Sequence, residues 1–283
     1  MRKLICILTA FYLLPAVVWG QGASDNNPWG SMNTAFAKSE SKINLEEDYY
    51  LGRAVTANII SMPNYRVYTA NSALTAYLNR ICQAIVINSP GSAVFNGYHV
   101  VILNSQEFNA FATPGGHIML TKGLVEASSS EDALAALIAH ELAHIMLRHA
   151  AEIIEGMSFT NEMGDMANKA AALSGNSAGA QKALALRNST APLVDAMIKN
   201  GYSQKQEFDA DAKALELLNA AGYDPKALID MLQVLQRVQT GQKGGFNSTH
   251  PTPKDRITNV NLNLSRYKAN TTQSYRKARF INK

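Results

Sequence analysis

Two histidines and a glutamate stand in a run of residues that otherwise excludes polar groups. The run is "LAALIAHELAHIMLRH", residues 134–149; from Asp132 to Leu147 the only non-apolar members are Asp132, His140, Glu141 and His144. Ala, Leu, Ile and Met favour helix, and no Gly or Pro interrupts. The preceding "SSSED" offers Ser128 or Ser129 as a cap, with Glu131 or Asp132 three residues on. A helix apolar on all sides is a buried helix, and a buried carboxylate or imidazole is costly unless paired or bound to a metal. His140 and His144 are four apart, so they project from one face, a turn from each other. Two neutral imidazoles so placed can chelate Zn2+. Glu141 points about a quarter-turn away, where it can hold a metal-bound water without being a ligand. The alternative is a core helix with two satisfied histidines. HExxH arises by chance in roughly one per cent of chains of this length, and the apolar setting favours the metal.

A third ligand is then required. A histidine six residues after the second one, with glycine three after it, would make an HExxHxxGxxH site, but Leu147 and Ala150 hold those positions. His149 is about 140° round the helix from His144 and reads as a helix-dipole residue or as a support for a ligand. A glutamate remains. In "KQEFDADAKALELLNAAGYDP", residues 205–225, a helix from about Ser203 is closed by Gly222 and Pro225. Glu207, Asp211, Leu215 and Leu218 share one face, and Asp209, Lys213, Glu216 and Ala220 share another that reads as solvated. Carboxylates in line with core leucines need a cation. Glu207 as ligand, with Asp211 accepting a hydrogen bond from a ligand histidine, satisfies that need. The plainer reading is that both acids favour the helix N-terminus; Glu152, Glu155, Glu162 and Asp195 are rivals on less clearly inward faces.

The elements that must position these groups follow from pattern. The chain has 283 residues, 47% hydrophobic and 17% charged, which is one globular domain with short appendages. Residues 1–20 read as a cleaved secretory signal peptide: Arg2 and Lys3, an apolar run from Leu4 to Trp19 broken by Pro15, and small residues before a cut after Gly20. An uncleaved anchor is the alternative, although the run is short for a spanning helix. Residues 21–42 read as a flexible lead-in. Helices are expected from Leu45 and over Ser72–Ile87, and a strand over 99–104. Two short strands flank Pro114-Gly115-Gly116, and the HExxH helix follows. The class is α+β: a mainly helical gluzincin-type zincin domain over 43–265, with a small antiparallel sheet beside the HExxH helix. Within it 150–206, rich in Ala, Gly, Ser, Asn and Met, reads as a mobile helical insert or lid. Cys82 alone survives removal of Cys6, so no intramolecular disulfide is available, and it reads as a core residue.

The formal charge of +4 falls to +2 without the leader, which is no nucleic-acid footprint. After Asp255 the basic residues Arg256, Arg266, Lys268, Arg276, Lys277, Arg279 and Lys283 meet no acid. Residues 266–283 therefore read as a solvated basic tail, with peripheral contact to an anionic membrane surface as the sharper reading.

"NAFATPGGHIMLTKGL", "HELAHIMLRH", "EFDADAKALELLNAAGYDP" and "HPTPKDRI", in that order, resemble the zinc metallopeptidases related to the CAAX prenyl endopeptidase and HtpX, metallopeptidase family forty-eight. The resemblance runs from about Leu45 to about Leu264. It implies Glu207 as third ligand in an ExxxD pattern with Asp211, His250 of the His-Pro motif near the metal, and Arg256 a few residues on. The chain is similar to the compact periplasmic branch, without the membrane helices of some relatives or the C-terminal repeat domain of another. The expectation is a zinc endopeptidase of the bacterial envelope acting on unfolded or misfolded proteins. Glu141 would be the general base and acid, and His250 or Arg256 would stabilise the oxyanion. Alternatively His250 would occupy the fourth zinc position and keep the enzyme latent. Substrate would pair, extended, with a strand edge around Asn109, Phe111, Ala112 and Thr113, unless that strand is internal to the sheet. A client-binding protein that does not cut, and a zinc amidase acting on cell wall, are the other classes.

Overall fold

The structure, a computed structural model, describes residues 45–89, 91, 93–156, 190–191, 194–195, 197–198, 201–238, 250, 253–268, 270 and 272–280. All of them belong to one compact unit, 41–283. The leader, the lead-in to residue 42 and most of the 150–206 insert lie outside the described residues.

The elements fall close to where the pattern puts them. Helix α1 (Leu45–Ser61) and α2 (Ser72–Ile87) precede strands β1 (His99–Leu103), β2 (Ala110–Thr113) and β3 (His117–Thr121). A short α3 (Lys122–Ala127) leads into α4 (Glu131–Met146), the helix of the HExxH run, and α5 (His149–Gly156) follows it. Then come α6 (Gln204–Ala220), α7 (Ala227–Val238), α8 (Pro253–Leu264) and α9 (Gln273–Phe280).

The α+β class holds, but the sheet is mixed. Its order is β1-β3-β2, with β2 antiparallel to β3 and β1 parallel to it. The antiparallel expectation is met only by the β2–β3 pair, which the tight Pro114-Gly115-Gly116 turn dictates. β3 then inserts between the two earlier strands, so it runs with β1. Both faces of the sheet are covered. Val100, Ile102, Ala110, Ile118 and Leu120 join the main core with α2, α4, α6 and α7. Leu103, Phe111 and Met119 face the other way, onto Leu51, Val55 and Ile59 of α1. Alternate side chains thus enter different cores, and the strands read as unbroken apolar runs. Gly52 lets α1 press on the β2–β3 turn: a Cβ there would lie 1.8 Å from the Pro114 carbonyl oxygen.

α4 threads the main core, and from Ala133 to Ala143 its residues are no more than 4% exposed. Its N-terminus departs from expectation. Ser130, one residue beyond the expected caps, accepts from the Ala133 amide. No capping box forms, because with Ser130 as cap the third helical position is Ala133; Glu131 and Asp132 are held by arginines instead. Arg276 pairs with Asp132, its Nε donating at 2.9 Å, and Arg279 pairs with Glu131. The Tyr77 hydroxyl also donates to Glu131, at 2.7 Å, and the Asp224 amide donates to Asp132. The 266–283 segment is therefore not simply a solvated basic tail. It contains α9, whose Arg276 is buried against the first turn of α4, while Arg266, Lys268 and Lys277 are exposed. Cys82 is buried in the core, and burial pushes its thiol up to about 12.

Removing Arg276 would leave Asp132 buried without its counter-charge. Arg276→Ala is expected to cost about 3 kcal/mol, read from the urea midpoint at unchanged m-value.

Candidate metal centre

Three elements and one loop residue converge. α4 presents His140 and His144 from one face. α6 presents Glu207 and Asp211, four apart on the face that also carries the buried Leu215 and Leu218. α6 starts with a capping box between Ser203 and Gln206 and ends at Gly222, φ 76°. Lys213, on the face expected to be solvated, is buried with its ammonium donating to Glu216 at 2.8 Å. α8 brings Arg256, and His250 lies just before that helix. His140, His144, Glu207 and His250 each offer one donor atom within 4.8 Å of the others. All four are at most 1% exposed.

The spacings suit zinc. Four ligands in a tetrahedron about 2.0–2.1 Å from the ion lie roughly 3.3 Å from one another. His140 Nε2 is 3.1 Å from His144 Nε2 and 3.4 Å from His250 Nδ1. Glu207 Oε1 is 3.4 Å from His144 Nε2 and 2.8 Å from His250 Nδ1. The remaining nitrogens explain why the lone pairs converge. His140 Nδ1 faces Asp211 Oδ1 at 3.1 Å, which fixes a proton on that nitrogen and leaves Nε2 inward. His144 Nδ1 is 2.8 Å from His149 Nδ1. Burial drives the His149 imidazole down to about 4, so it is neutral near pH 7 and can accept from His144. Inward lone pairs and a carboxylate, sealed from water, require a cation.

Arg256 is not an oxyanion donor in this arrangement. It is fully buried and grips Asp211 with two contacts, Nε at 2.8 Å and Nη2 at 2.6 Å, while Nη1 is 2.7 Å from Glu207 Oε2. Burial alone would raise the Glu207 and Asp211 carboxyls; the Arg256 charge overrides it and holds both below the ordinary range. Burial and Arg256 also oppose a charge on His140, yet Asp211 and Glu207 outweigh them and raise it to about 9. A charge on His140 would lie against Asp211 and Glu207.

Glu141 stands beside the cluster. It is fully buried, both its carboxylate oxygens lack a hydrogen-bond partner, and Oε1 is 3.7 Å from His250 Nε2. Burial pushes its pKa up, partly offset by His250 and His140. Such a carboxyl is poised to take and return a proton.

The expected substrate segment divides. Asn109 accepts the Ala110 amide and is tied to Thr121 and Tyr65, Phe111 packs on Tyr65, and the Thr113 hydroxyl donates to the Gly52 carbonyl. Those three side chains are fixed inside the fold. Ala112 differs, because its carbonyl meets the Tyr202 hydroxyl at 3.4 Å. Tyr202 was not among the expected site residues. Its ring stacks on His144, centroids 4.0 Å apart at 15°, and burial keeps its hydroxyl protonated. The capping box was the available signal. Tyr202 precedes the cap Ser203 and Glu207 is the fourth helical residue, and these two positions adjoin at such a start.

Comparison with known proteins bears on which chemistry this is. A model of peptidase family M48 matches residues 72–262. The chain belongs to peptidase family M48. That family is zinc-dependent, so zinc is the metal to which this donor set is matched. The chain is similar to the "Beta-barrel assembly-enhancing protease" of Yersinia pestis, 28% identical over 71% of this chain and 41% of the relative. It is also similar to the "Mitochondrial metalloendopeptidase OMA1" of Schizosaccharomyces pombe, 28% identical over 77% of this chain and 61% of that one. A third relative is the "Metalloprotease LoiP" of Escherichia coli (strain K12), 27% identical over 69% and 73%. The chain spans about two fifths of the length of the β-barrel assembly-enhancing proteases it matches. Among the described residues no helix is long and apolar enough to cross a membrane.

Two outcomes follow for the chelator-treated chain. Arg256→Met leaves Glu207 and Asp211 buried without their main counter-charge, and should destabilise by about 3–5 kcal/mol in urea unfolding. The second concerns pH. His140 is raised from 6.5 to about 9, so its contribution is fully present below the unfolded value and lost as pH rises through about 9. Metal-free stability should therefore decline between pH 6.5 and 9, and His140→Gln should flatten that decline.

Proposed function

We propose that the chain is a zinc endopeptidase of the bacterial cell envelope that hydrolyses unfolded or misfolded proteins. The observation that carries it is Glu141, a buried carboxyl without a hydrogen-bond partner beside four convergent donor atoms. His140, His144 and Glu207 are the residues that would hold zinc. Asp211 fixes the tautomer of His140, and His149 does the same for His144. Zinc supplies Lewis-acid polarisation of a peptide carbonyl and makes water a nucleophile near neutral pH. Glu141 takes a proton from the attacking water and delivers it to the leaving amine. Ala112 pairs its backbone with an extended substrate, which selects accessible main chain over particular side chains. Periplasmic residence rests on the leader pattern of residues 1–20 and on relatives named for β-barrel assembly. Peripheral membrane contact would fall to exposed Arg266, Lys268 and Lys277, since Arg276 and Arg279 are paired.

One observation favours a second reading. His250 lies within the donor cluster, with Nδ1 facing it, which supports a latent state in which His250 is a fourth ligand. A chain held so would bind clients without cutting them.

Casein cleavage by mature chain tests both readings. Wild type should cleave, and Glu141→Gln should lose about 10²-fold or more while retaining zinc. Near-normal turnover by that variant would remove Glu141 from its role. If wild type is silent with zinc bound, His250→Ala should awaken it. Digestion of peptidoglycan in place of casein would point to the cell-wall amidase.

A further inference from the structure

The hydrogen-bond alternation of β2 decides which of its residues a second chain could pair with. The Thr121 amide donates to the Asn109 carbonyl at 3.0 Å, so residue 109 turns its polar groups towards β3. In an antiparallel ladder the sense alternates. By the register Ala112↔Ile118, residues 111 and 113 also face β3, and 110 and 112 face outward. Among the described residues β2 is the outer strand of the sheet on that side. Ala112 therefore directs its amide and carbonyl away from the sheet, as strand addition requires. Its carbonyl already has an occupant, the Tyr202 hydroxyl at 3.4 Å.

Tyr202 is placed there by two local features. Ser203 and Gln206 cap α6 and hold the preceding residue against the first turn. Gly201, φ 62°, bends the chain just before it, in a conformation that suits glycine. The phenol thus spans from the face of His144 to the edge of β2, with its ring also 5.6 Å from His250. A bond of 3.4 Å is long for O–H···O. It satisfies the carbonyl but is weak enough to exchange.

We propose that Tyr202 is a gate on the substrate edge: its hydroxyl caps the Ala112 carbonyl in the closed state, and an extended substrate must displace it to pair with β2. This rests on the reading of Ala112 as the substrate-pairing residue. An amide of the incoming chain takes over the carbonyl, and the phenol turns away about Gly201 while the capping box keeps α6 and Glu207 in place. The gate admits chain with free backbone amides and excludes chain whose amides are already bonded in helices or sheets.

The test is binding to the zinc-loaded Glu141→Gln chain, which holds substrate without cutting it. The probe is a fluorescently labelled unstructured casein peptide followed by anisotropy. Tyr202→Phe keeps the ring stack and deletes the cap, so the dissociation constant should fall about two- to fivefold with zinc content unchanged. A purely structural role would leave affinity unchanged or weaken it. Ala112→Pro removes the outward amide but no ladder bond, and should abolish binding; the same peptide N-methylated at alternate residues checks this without altering the protein. Tighter binding by Tyr202→Phe, with loss on Ala112→Pro or N-methylation, supports the gate. Unchanged or weaker binding by Tyr202→Phe, with the other two still losing affinity, overturns the gate and leaves the substrate edge standing. Indifference to Ala112→Pro and to N-methylation together overturns the edge, and the gate with it.

Discussion

A guanidinium sealed from water sets the geometry of the centre. Arg256 grips Asp211 at two points and touches Glu207 with its remaining arm. It is fully buried, where an unpaired cation would be prohibitive, so α8 can dock only if α6 brings both carboxylates to it. Each carboxylate in turn faces a histidine of α4. One charge thereby sets the relative position of three helices. The cost of burying these ions is high, and their mutual attraction offsets it only in good geometry. The arrangement fixes which oxygen of Glu207 is left for the cluster. Oε2 lies against Arg256, and Oε1 lies nearest His144 and His250.

Much of this was legible in the sequence, because periodicity reports which side chains share a face. The helix over Ser72–Ile87 and the hairpin around Pro114-Gly115-Gly116 follow from local pattern. The face shared by Glu207, Asp211, Leu215 and Leu218 is equally local, and all four are buried together. What escaped depends on partners far apart in the chain. Arg256 is recognisable as a charge, but its partners lie on another helix, 45 residues away for Asp211. The parallel pairing of β1 with β3 is a non-local contact that no turn signal announces. The acids after Ser130 look like the second half of a capping box, and only α9 reveals that they serve as counter-charges. Tyr202 is intermediate: its place was implied by the cap that follows it, yet nothing in its own type says that it meets His144.

Around the convergent donors, Asp211 and His149 settle the tautomers of His140 and His144, and Arg256 bridges Asp211 and Glu207. Both oxygens of Glu141 are buried without a hydrogen-bond partner. A buried carboxylate without partners is a local destabilisation that the surrounding packing of α4 must sustain. Its cost is reason to regard the group as chemical, not structural.

The pairing of α4 with α9 has a consequence for the order of assembly. Arg276 lies 144 residues downstream of Asp132. A chain that is made, or threaded across a membrane, N-terminus first delivers α4 long before the arginines that neutralise its opening turn. Until they arrive, two carboxylates at the head of that helix stay hydrated and hold it away from the core. The chain would therefore complete the centre that α4 carries late, after most of its other elements have been delivered.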